Sequence, residues 1–551
     1  MNPFAWNSGN AWRLLFFLVV ALYGLVYAPY GINETDGGFL TGLAWQVLQG
    51  KVLYHDLVYV RPPLPVWLRA LELRLLPAPW AILGERWIFY WQVAAYSWLA
   101  AATLTEGRSR WQLATLAFVV SAHCYPAAAW HTVDGIFFAV LATWLLFKIS
   151  GISGAMLAGL ALFAALLCKQ SFYPLAVSGL LAAYFSPQRI RAVVGLSAGL
   201  LAGTVVFISY LYQNNLVAGF LRLTTGAASG GQAWQHGVVD YFKIQPLLAI
   251  LSLVLLLPVV DWFWRRTNHR LASFAWAIWL ALLMGSYAFA IWRNQDFTPP
   301  FAQARLLWWL AGSYWIGQLW KSRNNQVSAP ARLPAFGLLL AISWCSAVSW
   351  GYNLPILFAL PGVWAVLEIS RQLYAQAVPE RWSGSATWTS FLALAVLLGV
   401  FRYGYEFVYR DGRRKAMTEN MGAIFPALTG IYSDVETAAL YQELRSLAAR
   451  YGPNFKTLPA FPQANFLTNT APPLPLDWVV AREMNADSAL VTNILQTKKP
   501  VLLIEKRYLP VIKTDPELAL VRSVIDSANL LEETPHFLVL QSAQLLFDSP
   551  Y

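Results

Sequence analysis

The chain has 551 residues, 58% of them hydrophobic and only 12% charged, with a formal net charge of +11 at pH 7. That balance excludes an ordinary soluble domain and reads as a polytopic membrane protein. The basic excess belongs to the loops of such a protein, so it does not point to nucleic acid.

In chain order, the first strongly apolar run spans residues 14–27, with one arginine before it and no small-residue cleavage pattern after it; an uncleaved first span is expected. The stretch 33–63 follows, NETDGGFLTGLAWQVLQGKVLYHDLVYVRPP. Glu34 and Asp36 stand where the chain leaves the bilayer. A helix opening near Gly38 would point its free N–H groups and positive dipole end at Asp36, holding that carboxylate ionised and ready to accept a proton. Leu40, Leu43, Ala44, Val47 and Leu48 recur at helical spacing, which predicts a surface helix ended by Gly50.

Further apolar runs fall at 87–104, 112–121, 135–147, 154–167, 174–185, 193–212, 246–260, 271–291, 306–320, 333–350, 356–369 and 391–401. Together they make about thirteen crossings of roughly 20 residues each, several of them short. Loops bearing Arg108 and Arg110, Arg189 and Arg191, Arg265, Arg266 and Arg270, Lys321 and Arg323, and Arg371 form the cytoplasmic set. Asp36, the 124–134 loop, Lys169, the 213–243 loop and the 293–305 loop then face outward, as does everything after Phe401. From 402 to 551 charge rises and apolar runs shrink to strand length, with a helix over 435–450 and strands over 500–505 and 536–541. The expected architecture is therefore an all-α polytopic membrane domain over 1–401 and a small extracytoplasmic α/β domain over 402–551. Cys124, Cys168 and Cys345 have no metal-ligand spacing and read as core residues.

Candidate chemistry gathers on the outer face. Asp36 and Asp134 are two carboxylates at outer helix ends, able to act as general base and orienting partner. For Asp134 a helix N-cap before Gly135 is an equal alternative, and His131 is either its support or a structural residue of an aromatic loop. Lys169 ends the run LALFAALLCKQ, a depth at which a lysine needs water, an acid or a phosphate. Arg61, beside Pro62 and Pro63, is read as a second anion contact. Arg293 and Arg305 are further outer cations, with snorkelling as the alternative.

The run DGGFLTGLAWQVLQGKVLYHDLVYVRPPLPVWL resembles the first outer loop of the C-superfamily (GT-C) glycosyltransferases, in the branch related to protein O-mannosyltransferases and the lipid A aminoarabinose transferase. Asp36, Gly38, Gly50-Lys51, Tyr54, Asp56 and Arg61-Pro62-Pro63 match that branch. Gly37 replaces its usual Glu and Leu53 its usual Pro, leaving Asp36 as the matched base unless Glu34 substitutes. Cys168-Lys169-Gln170 and Gly84-Glu85-Arg86 are weaker matches.

The resemblance implies a GT-C fold with surface helices in the first outer loop, in a bacterial inner membrane. It implies a glycosyltransferase, hexosyl or pentosyl, that uses a sugar on a polyprenyl phosphate carrier and a lipid, glycan or protein acceptor. Asp36 would be the base, with Glu34 and Asp134 behind it. Lys169, Arg61, Arg293 and Arg305 would contact the donor phosphate, and Asp56, Tyr59 and His131 would serve the acceptor. One base suffices once the phosphate is paired with cations, so no cofactor is expected, although Asp36 and Asp134 could share a divalent ion. The segment FPQANFLTNTAPPLPLDW resembles one found after the spans in members of the branch; it either stacks on a saccharide or connects strands. A transporter or flippase for a phosphate-bearing lipid or glycan is the alternative function. It would show internal repeats and interrupted spans, which the chain does not.

Overall fold

A computed structural model describes residues 8–32, 34–122, 127–225, 246–265, 267–294, 301–324, 332–348, 355–377, 405–406, 408, 412–484 and 488–541. The first part is helical: α1 (Ser8–Val26), α2 (Asp36–Leu48), α3 (Leu64–Leu75), α4 (Ala81–Leu104), α5 (Gly107–Ala122), α6 (His131–Lys148), α7 (Ile152–Leu166), α8 (Pro174–Tyr184), α9 (Arg189–Gln213) and α10 (Val217–Thr224). Five more helices follow: α11 (Pro246–Arg265), α12 (His269–Asn294), α13 (Phe301–Asn324), α14 (Arg332–Ala347) and α15 (Leu360–Ala377). Among the described residues α1, α6 and α9 are long and apolar enough to cross a membrane, and Ile152–Leu166, His269–Leu283 and Arg332–Ala347 are shorter apolar helices. The expected last run, 391–401, and the 401/402 boundary lie outside the described residues.

Helices α7 and α9 approach closely through glycine. A Cβ on Gly159 would meet the Leu196 carbonyl, and one on Gly199 the Met156 carbonyl, so only bare backbone fits on either side. Small residues at a helix contact suit a bilayer, where packing rather than water exclusion drives association. α6 packs on α7 and on α4, and one continuous apolar core runs from Phe16 of α1 through Phe118 of α5 and Ile136 of α6 to Phe336 of α14.

The carboxy-terminal part holds α16 (Val435–Tyr451), opened by Asp434 accepting from the Thr437 N–H and followed by Gly452 at φ 74°. Two short strands, β1 (Glu419–Asn420) and β2 (Tyr432–Ser433), pair antiparallel, and the main sheet contains β3 (Phe455–Leu458), β4 (Val501–Glu505), β5 (Asn529–Glu533) and β6 (Phe537–Gln541) in the order β3-β4-β6-β5. β3 runs parallel to β4, and the other two pairings are antiparallel. The helix and two of these strands match the expected ones; β3 and β5 were not anticipated. β4 is buried along its whole length, as its four leading apolar residues require, and Glu505 at its end is buried with them.

This α/β part sits directly on the first loop. Tyr432 exchanges backbone hydrogen bonds with Pro29 and Gly31, and the Val58 N–H donates to the Pro475 carbonyl at 2.9 Å. α2 is consequently not a surface helix. Its apolar stripe packs on α3, and its opposite side is covered by the sheet domain, with Gly38 against Gln463 and Gly42 against Asp477 and Pro462. Periodicity revealed the stripe but not what lies on the other face.

Gly199→Leu is expected to force α7 from α9 and destabilise the protein by roughly 2 kcal/mol. Gly312→Leu, where an added Cβ meets nothing within 4 Å, is expected to be near neutral. Thermal unfolding of both variants in detergent checks this.

Candidate functional site

Asp36 is the first residue of α2, not the residue two positions ahead of the helix. Thr35, the N-cap, supplies no side-chain cap, and Asp36 lies half-buried in the first turn, at the positive end of the helix. Across from it stands the stretch after β4. Arg507 pairs with Glu34 and Glu505, Tyr508 donates to Glu34 at 3.3 Å, and Tyr508 lies within electrostatic reach of Asp36. Glu34, expected as a substitute base, is therefore a buried docking residue whose charge Arg507 balances.

Two hydrogen bonds bring the Arg61 and Lys169 loops together. The Leu64 N–H donates to the Leu167 carbonyl at 3.2 Å, and the Gln170 side chain to the Val60 carbonyl at 2.6 Å. Tyr54 Oη donates to the Arg61 carbonyl at 2.7 Å and steadies the turn. The Arg61 guanidinium was expected to meet a phosphate; here it forks onto Glu483 of the α/β part at 2.6 and 2.5 Å, and both groups are buried. Burial opposes its charge, yet Glu483 outweighs that and raises its pKa. The guanidinium also lies 5.2 Å from the centre of the Phe39 ring, one turn along α2 from Asp36.

Lys169 is buried and donates to Thr132 Oγ1 at 3.3 Å, which joins its loop to the start of α6. Burial first, and the charge of Arg61 second, bring its pKa down to about 7. α6 begins at His131, so Asp134 is within the first turn and not its N-cap, which is Trp130. Gln92 Nε2 donates to the Asp134 carboxylate at 2.7 Å.

Between these charges lies an aromatic cluster. Tyr59 and His131 are both 1% exposed, with rings inclined by 18° and centred 6.4 Å apart. Phe39 lies 5.7 Å from His131, 6.4 Å from Tyr59 and 4.4 Å from Trp478. Neither His131 nitrogen, nor Tyr59 Oη, nor Trp478 Nε1 has a hydrogen-bond partner among the described residues.

The remaining candidates are Asp56, Arg293 and Arg305. Asp56 is exposed and accepts from the Val52 N–H at 2.8 Å and bonds His55 at 2.7 Å, so it closes a surface turn. Arg293 is near the end of α12, its side chain outside the described residues, and Arg305, the fifth residue of α13, is half-buried. Among the described residues no group of three His, Cys, Asp or Glu side chains could hold a metal. Sequence reasoning missed Glu483 and Arg507, which lie more than 400 positions from Arg61 and Glu34; Trp478 closes the segment FPQANFLTNTAPPLPLDW, for which stacking on a saccharide was one of two expectations. Phe39 was findable, being three residues after Asp36 on a helix.

No family model and no curated protein matches the chain. Several solved structures align with nearly the whole chain. ArnT from Cupriavidus metallidurans in the apo state aligns at 12% identity over 99% of this chain and 100% of that one, with a TM-score of 0.46. The Archaeoglobus fulgidus oligosaccharyltransferase tethered to an acceptor peptide aligns at 10% identity over 98% and 74%, with a TM-score of 0.49. The archaeal oligosaccharyltransferase AglB from Archaeoglobus fulgidus, with an inhibitory peptide and a dolichol-phosphate, aligns at 11% over 98% and 75%, with a TM-score of 0.46.

Lys169 sets a pH dependence. Its folded pKa of about 7 lies below the ordinary 10.5, so between these values the unfolded chain binds more protons and stability rises with pH. Lys169→Met is expected to unfold at a higher temperature than wild type at pH 6, with the gap shrinking by pH 9. Melting curves at several pH values check the slope.

Proposed function

We propose that the chain is an integral membrane glycosyltransferase that moves a sugar from a polyprenyl phosphate carrier to an acceptor on the outer face of a bacterial inner membrane. In this reading it has about thirteen spans, and the α/β part lies outside the cytoplasm. The observation that carries the reading is the buried Lys169 beside Arg61, joined through Phe39 to the helix start that bears Asp36. A lysine so enclosed is ready for an anion, and a carboxylate at a helix start is ready for a proton.

The step is a single displacement. The acceptor oxygen forms a bond to the anomeric carbon while the bond from that carbon to the phosphate oxygen breaks, with inversion. The acceptor proton passes to Asp36, and the phosphate leaves with the bonding electron pair. Charge grows on the phosphate as the bond breaks, so Lys169 stabilises the transition state more than the ground state. Arg61 adds a second charge once phosphate takes the place of Glu483. One base and paired cations complete the reaction without a cofactor. Asp134, held by Gln92, orients the α6 side of the site.

The test is release of undecaprenyl phosphate by the purified full chain from mannosyl, glucosyl and arabinosyl undecaprenyl phosphate. Asp36→Asn is expected to slow release by about a hundredfold or more, as loss of a general base does, while lipid binding persists. Glu34→Gln is expected to keep most of the rate. Undiminished release by Asp36→Asn would contradict the assignment of the base.

A further inference from the structure

The cluster of Tyr59, His131 and Trp478 is built in a way that core packing does not explain. Four polar atoms, Tyr59 Oη, His131 Nδ1 and Nε2, and Trp478 Nε1, are enclosed without a hydrogen-bond partner among the described residues. Each such atom costs about 1–3 kcal/mol, yet Phe and Leu would fill the same volume at no such cost. The residues come from three separate parts of the chain, namely the loop before α3, the first residue of α6 and the α/β part. They meet around the Phe39 ring, with Trp478 4.4 Å from it and Trp130 4.7 Å from His131.

The donor and acceptor inventory narrows the ligand. An indole N–H only donates, a phenol hydroxyl does both, and an uncharged imidazole offers one donor and one acceptor. A phosphate accepts and would leave the imidazole acceptor unmet, and a prenyl chain would meet none of the four. A ring bearing several hydroxyls donates and accepts, while its C–H faces lie against aromatic rings.

We infer that Tyr59, His131 and Trp478, grouped around Phe39, form the subsite for the uncharged hydroxylated ring of the transferred sugar, and that the α/β part completes this subsite through Trp478. This rests on the transferase reading and adds the place of the sugar beside the phosphate end marked by Lys169. Arg61 lies against Phe39 and Lys169 against Thr132, the residue after His131. The sugar and phosphate ends are thus adjacent, as a glycosyl phosphate requires.

Binding of undecaprenyl phosphate and of its mannosyl, glucosyl and arabinosyl derivatives to the full chain, measured by native mass spectrometry, tests the subsite with Tyr59→Phe and Trp478→Phe. Tyr59→Phe is expected to weaken the sugar-bearing lipid that wild type binds best by about five- to tenfold, the value of one hydrogen bond. Undecaprenyl phosphate itself should bind as before, and the melting temperature should hold or rise, because an enclosed hydroxyl without a partner has been removed. Trp478→Phe should likewise affect only the sugar-bearing lipid. Equal effects on both lipids, no effect on either, or a lower melting temperature for Tyr59→Phe would overturn the subsite while leaving the transferase reading standing. If wild type binds no sugar-bearing lipid, the transferase reading falls and the subsite with it.

Discussion

An enclosed ion pair between Arg69 of α3 and Glu85 of α4 fixes the geometry on which the site depends. One oxygen of Glu85 takes the guanidinium and the Thr41 hydroxyl of α2, the latter at 3.3 Å; the other takes the Ala129 N–H at 2.6 Å. Arg69 also donates to Thr41 at 3.1 Å and to Glu72 at 3.1 Å. A single carboxylate thus holds α2, α3, α4 and the segment that opens α6. Asp36 lies on the first of these elements, and His131 and Asp134 on the last. Losing one member of such a pair leaves a charge stranded in the interior, at a cost of about 3–5 kcal/mol, so the arrangement has no cheap alternative.

The α/β part extends the same logic across the top of the site. Lys456 and Asp477, both fully buried, pair at 2.7 Å, and Asp477 also accepts from Gln46 of α2 at 3.4 Å. Lys51 reaches the Pro472 carbonyl at 3.0 Å, and Trp45 the Thr470 carbonyl at 3.1 Å. Buried pairs of this kind add little net stability but penalise every other register. They place Trp478 on Phe39 and Glu483 on Arg61, so a domain without an evident catalytic motif becomes one wall of the site.

Periodicity and punctuation made much of this legible. The apolar stripe of α2, the helix over 435–450 and the strands at 501–505 and 537–541 follow from local pattern, and local pattern is what a sequence exposes, although α2 begins two residues earlier than its spacing suggests. The start of α6 was placed four residues late because its first turn, HTVD, is polar and an apolar count skips it. β5, NLLEE, is largely exposed and carries no alternation to read. At the site, Lys169 stood out through its apolar surroundings and Asp36 through its helix. The fates of Arg61 and Glu34 were hidden, since a charge declares itself in sequence but a partner more than 400 positions away does not. Asp56 shared a motif with these residues and still closes a surface turn.

In the proposed reaction Lys169 marks the seat of a lipid phosphate beside the start of α2. The most direct test of that seat is a cryo-electron microscopy structure of the full chain in lipid nanodiscs with undecaprenyl phosphate added. Density for the phosphate is expected within hydrogen-bond reach of Lys169 Nζ, between the Arg61 turn and the first turn of α2. A lipid phosphate seated elsewhere, out of reach of Lys169 Nζ, would contradict it.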